Sequence, residues 1–438
     1  MLRVIQSIFL IPELKNRVLF SFAMLVIFRV GAHIPIPGID SGALQQFYEN
    51  SAASSIISFF NTFSGGALIR LSIFALGILP YISASIVMNL MTVIFPALER
   101  IAREGDSGRR KISQYTRYGT ILLSIVQGYG IAVGIQSITT PGGASIVNST
   151  LGGFGFTAST MITLTAGTAF VMWLAEKISE RGIGNGASLI IFSGIIAGIP
   201  SGLSRTFQLL SSNELPIFVV ITLAIIIIGV TGIVVLFETA QRKISINYAR
   251  RTQTNQMAGG TNTYLPLKIN ASGVIPIIFA SSLLAFPSTF TAFVETPWIK
   301  NLGVYLTPSS IIYNMIFALL IFFFCYFYNA LQFNPIKISD DLKRYGGFVP
   351  GIRPGEKTAS YLNSILGRLT FVGATYLSAI SILPNLLYGW FNVPFFFGGT
   401  SLLIVVGVAL DLANKVETFL VNQNYDGFIK KMRSRSRY

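Results

Sequence analysis

Apolar positions in this chain gather in long runs bounded by clusters of charge. Charge-free stretches cover 18–28, 71–98, 118–175, 182–204, 215–237, 269–294, 301–336 and 369–410. About 20 apolar residues cross the ~30 Å hydrocarbon layer of a bilayer as an α-helix. The stretch 118–175 is long enough for two crossings, with a turn near TTPGGASIVNST, and 369–410 holds two more, divided near NLLYGWFNVP. The first stretch continues through Arg29 to about Ile36. The pattern therefore predicts ten spans, roughly 18–36, 72–95, 118–138, 155–175, 186–203, 216–237, 272–292, 309–331, 369–388 and 395–412. The apolar segment 54–70, SSIISFFNTFSGGALIR, is too short to cross and is broken by Gly65 and Gly66. It reads as a re-entrant or half-inserted helix, which survives at membrane depth only inside protein or beside water, or else as an ordinary outer loop helix.

Two stretches recur across the midpoint. Gly77 to Ser85 and Gly273 to Ser281 both read G-x-x-P-x-I-x-A-S, in spans two and seven. Gly186-Ala187-Ser188-Leu189 and Gly399-Thr400-Ser401-Leu402 recur in spans five and ten. This equivalence predicts two copies of five helices. Five is odd, so the copies are inverted about an axis in the membrane plane. The halves are 1–200 and 216–438, joined by a polar link at 201–215 that reads as the hinge. Pro80 and Pro276 are expected to kink their helices where the halves meet, because proline removes a backbone hydrogen bond.

Composition agrees with a membrane protein. Of 438 residues 52% are hydrophobic and 11% charged, against ~25% charged in soluble proteins. The N-terminus lacks a cleavage pattern, so the first span is expected to stay. An even number of spans puts both termini on one side. That side carries 28 of the 32 Lys and Arg and the whole net charge of +15. The positive-inside rule assigns it to the cytoplasm, including loops at 238–270 and 333–368 and the basic tail 415–438.

The interior lacks chemistry. Asp and Glu keep to the ends of the predicted spans, with Asp411 at the end of the last and Glu238 just beyond 216–237, which argues against ion coupling. One Cys and one His, His33, exclude a disulfide scaffold, a thiolate metal cluster and most His-based catalysis. No Gly-rich phosphate loop with a Lys occurs, so ATP hydrolysis is not encoded. No enzymatic activity, cofactor or metal is expected, and a conduit remains. Arg29, the single cation within a span, reads as a structural Arg that bonds backbone carbonyls or snorkels, or as a substrate contact. Ile82 and Ile86 share a helix face. With Ile191, Ile278 and Ile404 at equivalent depths, they form either a dewetted constriction that stops ions or ordinary helix packing.

On the cytoplasmic side, the alternation in 241–250 and the extended TYLPLKI predict a hairpin with Arg250 and Arg251 near its tip and Arg242 and Lys243 at its base. Pro350, Gly351, Pro354 and Gly355 make a rigid turn presenting Arg353. These cations suit an anionic partner such as ribosomal RNA or an acidic protein, whereas anionic lipid suffices for the tail.

Long stretches of the chain resemble the SecY/Sec61-alpha family, the channel subunits of protein translocons. They include IPIPGID (34–40), FNTFSGGALIR, SIFALGILPYISASIVMNLMTVIFP, EGDSGRRKISQYTRYGT, ISERGIGNGASLIIFSGI, the NYARR loop, LPLKINASGVIPIIFASS, FNPIKISDDLKRYGGFVPGIRPGEKT and FGGTSLLIVVGV. The resemblance implies an all-α polytopic fold of ten spans in two inverted five-helix halves, with a re-entrant plug and a cytoplasmic β-hairpin. It implies a plug at 55–69, including Phe60, Asn61, Thr62, Phe63, Ser64, Gly65 and Gly66. It implies a pore ring of Ile82, Ile86, Ala187, Ile191, Ile278 and Ile404, with Ala187 standing where relatives usually carry a bulkier aliphatic. A lateral gate would lie between spans two and three and spans seven and eight, with Pro80, Ser85, Asn89, Pro276 and Ser281 on its faces. Arg242, Lys243, Arg250, Arg251 and Arg353 would dock the SecA motor or the ribosome. SecE and SecG would be companion subunits, signal peptides and nascent chains the substrates, and the bacterial inner membrane the location. A plastid membrane, an ion-coupled secondary transporter and a pore-less membrane insertase are the competing readings.

Overall fold

In the computed structural model the described residues are 11–39, 42, 61, 64–136, 147, 152–212, 216–248, 263–293, 310–391 and 399–435. The first half contains α1 (Pro12–Gly31), α2 (Leu79–Ile94), a short α3 (Pro96–Arg103), α4 (Asp106–Gln136), α5 (Gly152–Arg181) and α6 (Gly186–Ser211). The second half begins with α7 (Ile217–Thr239), followed by strands β1 (Gln241–Tyr248) and β2 (Thr263–Lys268). It continues with α8 (Ile275–Phe293), α9 (Ile311–Gln332), α10 (Pro335–Arg344), β3 (Gly347–Phe348), α11 (Glu356–Phe391) and α12 (Gly399–Arg435). Each of the ten expected spans overlaps one of these helices. Among the described residues six helices are long and apolar enough to cross a membrane, or seven if α2 and α3, bent by 101°, form one span.

Three boundaries differ from the sequence expectation. The chain at 64–78 forms successive turns, although its composition is as apolar as a span, so α2 begins seven residues later than the hydropathy suggests. The expected link at 201–215 is helical through Ser211. Pro80 and Pro276 do not kink helices; each lies at the start of one. Their missing N–H costs nothing there, because the first-turn amides have no intrahelical acceptor. Gly77 and Gly273 precede them with φ of +56° and +60°. Only glycine adopts that region without strain, so G-x-x-P encodes a left-handed turn followed by a helix start. The equal geometry at both sites is the structural counterpart of the sequence repeat.

The paired motifs also meet in space. α8 packs on α2 and on α4, so the two G-x-x-P helices touch each other. α6 packs on α12, so the two G-x-S-L helices touch as well. α7 has little buried surface and packs on α12.

The expected hairpin is present and is larger than expected. β1 pairs antiparallel with β2, from Gln241 opposite Lys268 to Ile246 opposite Thr263. β3 adds a third strand, with Asn247 opposite Phe348. Ile244 and Leu267 pack with Val349, Leu362, Ile365 and Leu366, which fastens the hairpin to the second loop and to α11.

Candidate functional site

α2, α6, α8 and α12 carry the candidate throat. Ile82, Ile86, Ile191, Ile278 and Ile404 belong to one hydrophobic cluster, and none is more than 5% exposed. Residues from both halves thus belong to one buried apolar cluster, and the elements that supply these five are the members of the two repeat pairs. Ala187 is half-buried against the same cluster. It lies four residues before Ile191 and faces the same way. Its place is set by the start of α6, where the Asn185 side chain accepts hydrogen bonds from the backbone N–H of Ala187 at 3.0 Å and of Ser188 at 3.5 Å. The helix start thereby fixes the depth of the smallest residue in the group.

The candidate gate faces lie on α2 and α8. Pro80 and Pro276 are buried, Ser85 and Asn89 are half-buried, and Ser281 is buried with its hydroxyl donating to the Ile278 carbonyl at 2.9 Å. Just before the start of α8, Asn270 Nδ2 donates to Glu238 Oε1 at 2.6 Å and to the Gly273 carbonyl at 3.1 Å. Sequence reading missed this joint between α7, the hairpin and α8, because its members are far apart in the chain.

Part of the expected plug is described. Asn61 and Ser64 to Gly66 lie in a turn that closes on itself. Asn61 Oδ1 accepts from the Ile69 N–H at 3.0 Å, the Asn61 carbonyl accepts from the Gly66 N–H at 3.0 Å, and Ser64 Oγ accepts from the Leu68 N–H at 3.2 Å. Phe60, Thr62 and Phe63 lie outside the described residues. Arg29 bonds a backbone carbonyl: its Nη1 donates to the Gly65 carbonyl at 2.7 Å.

Of the candidate docking cations, Arg242 and Lys243 are exposed on β1 and Arg353 is exposed in its turn. Gly351 and Gly355 bracket that turn with φ of +78° and +108°. Thr358 Oγ1 donates to the Arg353 carbonyl at 2.9 Å, and Ser339 Oγ to the Gly355 carbonyl at 2.6 Å. The backbone beneath Arg353 is therefore held while its guanidinium stays in water. Arg250 and Arg251 lie outside the described residues. No group of three His, Cys, Asp or Glu that could hold a metal occurs among the described residues.

Helical repeats that meet at one buried apolar cluster define the class as a polytopic helical membrane protein. The solved structure of a protein-conducting channel matches with a TM-score of 0.64 at 16% identity, covering 92% of each chain. A second solved structure, in which the plug domain of the SecY protein is described as stabilising the closed state of the translocation channel and maintaining a membrane seal, matches with a TM-score of 0.61 at 18% identity, again over 92% of each chain. The family model SecY matches residues 72–413. The protein translocase subunit SecY of Escherichia coli K12 is 48% identical over 423 residues, which covers 96% of this chain and 94% of that protein. The chain belongs to the SecY family.

Proposed function

We propose that this chain is the channel subunit of a Sec translocon. It conducts unfolded secretory chains across a membrane and releases hydrophobic segments sideways into lipid. The observation that carries the reading is the shared burial of the five isoleucines from both halves at the contact of the repeat pairs. Aliphatic side chains make no directional bonds, so such a throat excludes hydrated ions when dry yet accepts any polypeptide sequence. Ala187 is the sixth member of that ring.

The contact of α8 with α2 and α4 is the seam we assign to the lateral gate, lined by Pro80, Ser85, Asn89, Pro276 and Ser281. Both helices begin at a left-handed glycine, which supports a rotation about Gly77 and Gly273 as the opening motion. The ten expected spans cross the membrane, with the connection between α6 and α7 as the hinge between halves. Residues 55–69 form the plug behind the ring. The rigid turn at Arg353 and the hairpin cations Arg242, Lys243, Arg250 and Arg251 dock the SecA motor or the ribosome. These supply the driving force, and the chain itself catalyses no reaction. SecE and SecG accompany it, the basic tail meets anionic lipid, and both termini face the cytoplasm of a bacterial inner membrane. Nothing in the geometry favours the transporter or insertase readings.

Crosslinking tests this. A secretory chain stalled midway is expected to react with photoprobes placed at Ile82, Ile278 and Ile404. Labelling confined to the cytoplasmic mouth would overturn the channel reading and favour an insertase.

A further inference from the structure

We infer that Asn270 is a positioning residue that ties the docking hairpin to the start of the gate helix α8. The inference deepens the proposed function, because it rests on the hairpin as a docking element and on α8 as a wall of the gate. The two legs of the hairpin leave the bundle side by side, from Glu238 ahead of β1 and from Asn270 after β2. Asn270 is 3% exposed. Its Nδ2 donates to Glu238 Oε1 at 2.6 Å and to the Gly273 carbonyl at 3.1 Å, and its Oδ1 accepts from Ser272 Oγ at 3.3 Å. Both amide hydrogens are therefore in use. One side chain bridges the last turn of α7 and Gly273, the left-handed glycine just ahead of α8.

The hairpin is stiff down to this bridge. Its ladder ends at Gln241 opposite Lys268, and the Ile269 N–H, donating to the Ala240 carbonyl at 3.1 Å, carries it one bond further. Residues 269–274 then lead through bends and turns into α8. This connection is hemmed in. A Cβ at Gly373 of α11 would meet the Ile269 carbonyl at 3.1 Å, and a Cβ at Gly407 of α12 would meet the Val274 side chain at 2.5 Å. On the α7 side, Phe237 stacks on Tyr376 of α11 with ring centroids 4.4 Å apart.

A partner bound at Arg242 and Lys243 tilts the paired strands, and the tilt arrives at Asn270. Backbone continuity alone would lose it, because a connection of turns absorbs a tilt in small changes of φ and ψ. The bridge prevents that loss. A buried amide gives up free energy if either donor is orphaned, so Asn270 moves together with Glu238 and with the Gly273 carbonyl. The bond to the Glu238 carboxylate is the stronger of the two, since its acceptor is ionised. The tilt is thereby delivered to Gly273, the point about which α8 rotates. Asn270 acts through the glycine and touches neither the partner nor the substrate.

The test uses the complete channel complex in lipid nanodiscs, without and with the SecA motor at saturating concentration. Spin labels on Val87→Cys of α2 and Leu283→Cys of α8, both exposed positions, report the open-to-closed ratio of the seam, with Cys325→Ala removing the native thiol. Docking is expected to raise that ratio in the otherwise wild-type chain. Asn270→Ala is expected to lower the docked ratio about tenfold, the equivalent of one hydrogen bond to a charged group, while motor binding and the undocked ratio are kept. Glu238→Gln, which leaves an acceptor in place, is expected to retain most of the response, and Glu238→Ala to lose it. A full response in Asn270→Ala overturns the proposal. So does an equal fold-change in the docked and undocked ratios, which would make Asn270 a structural brace alone. If Asn270→Ala fails to assemble, Glu238→Ala against Glu238→Gln decides by the same comparison. Arg242→Glu with Lys243→Glu separates the two readings: if that variant still binds the motor and responds, docking at the hairpin fails and the coupling with it, whereas if it loses both and Asn270→Ala responds fully, docking stands and the coupling alone is wrong.

Discussion

Ala187→Ile is expected to tighten the resting seal of this channel. Five of the six proposed ring residues are isoleucines at most 5% exposed, whereas Ala187 is half-buried against the same cluster. Isoleucine adds three carbons at a point where the cluster is incomplete. At about 0.8 kcal/mol per buried CH2, full packing would be worth about 2 kcal/mol. Helix propensity takes back roughly 0.5 kcal/mol and rotamer freezing about as much again. About 1 kcal/mol remains, equivalent to roughly fivefold in the ratio of sealed to leaking channels. The main-chain bond from Ala187 to Asn185 involves only the N–H, so the helix start is kept. The assay is ion current across planar bilayers, with Ala187→Ile introduced beside the deletion of 60–66 so that the plug does not mask the ring. The expected result is a several-fold fall in current relative to the deletion alone. An unchanged current would mean that Ala187 does not line the barrier, and a rise would mean that the added bulk spreads α6 away from α12.

Three further outcomes are expected. Arg353→Glu blocks motor-driven export while the purified complex keeps its melting temperature, since the side chain is exposed and the turn is held by Thr358 and Ser339; unimpaired export would refute docking there. Asn185→Ala removes the cap of α6, costs about 1 kcal/mol and lowers the melting temperature by a few degrees, and an unchanged melt would show that packing alone sets the start of α6. Arg117→Gln, which breaks the Arg117–Glu176 pair 2.8 Å apart, lowers stability by about 1 kcal/mol, since Arg117 is 45% exposed while Glu176 is 16% exposed. A loss of several kcal/mol in thermal denaturation would contradict the exposed placement of Arg117.

Much of the architecture was legible because it follows from charge-free length. Each expected span finds a helix, and the alternation in 241–248 with TYLPLK became paired strands. The repeats were legible from Gly77, Pro80, Gly273 and Pro276, but their meaning was not. Proline in a long apolar run reads as a kink, and only the positive φ of the preceding glycines shows that each helix begins there. The turns at 64–78 were hidden because composition reports burial and depth, not backbone conformation. The short α10 and the two-residue β3 carry too little pattern to stand out from a loop. Long-range bonds had no sequence signal at all. Arg29 was visible as a cation needing carbonyls, while its partner Gly65 could come only from the fold. The same holds for Asn270 and Glu238, whose pairing at 2.6 Å could come only from the fold.

The central claim is that a polypeptide passes between the two inverted halves, through the isoleucine throat. A density map of the complete complex, held on a secretory chain stalled midway, tests it most directly. The account predicts extended density encircled by Ile82, Ile86, Ile191, Ile278 and Ile404, with α8 drawn away from α2. Density running along the lipid-facing exterior of the bundles, with those isoleucines still in mutual contact, would contradict it.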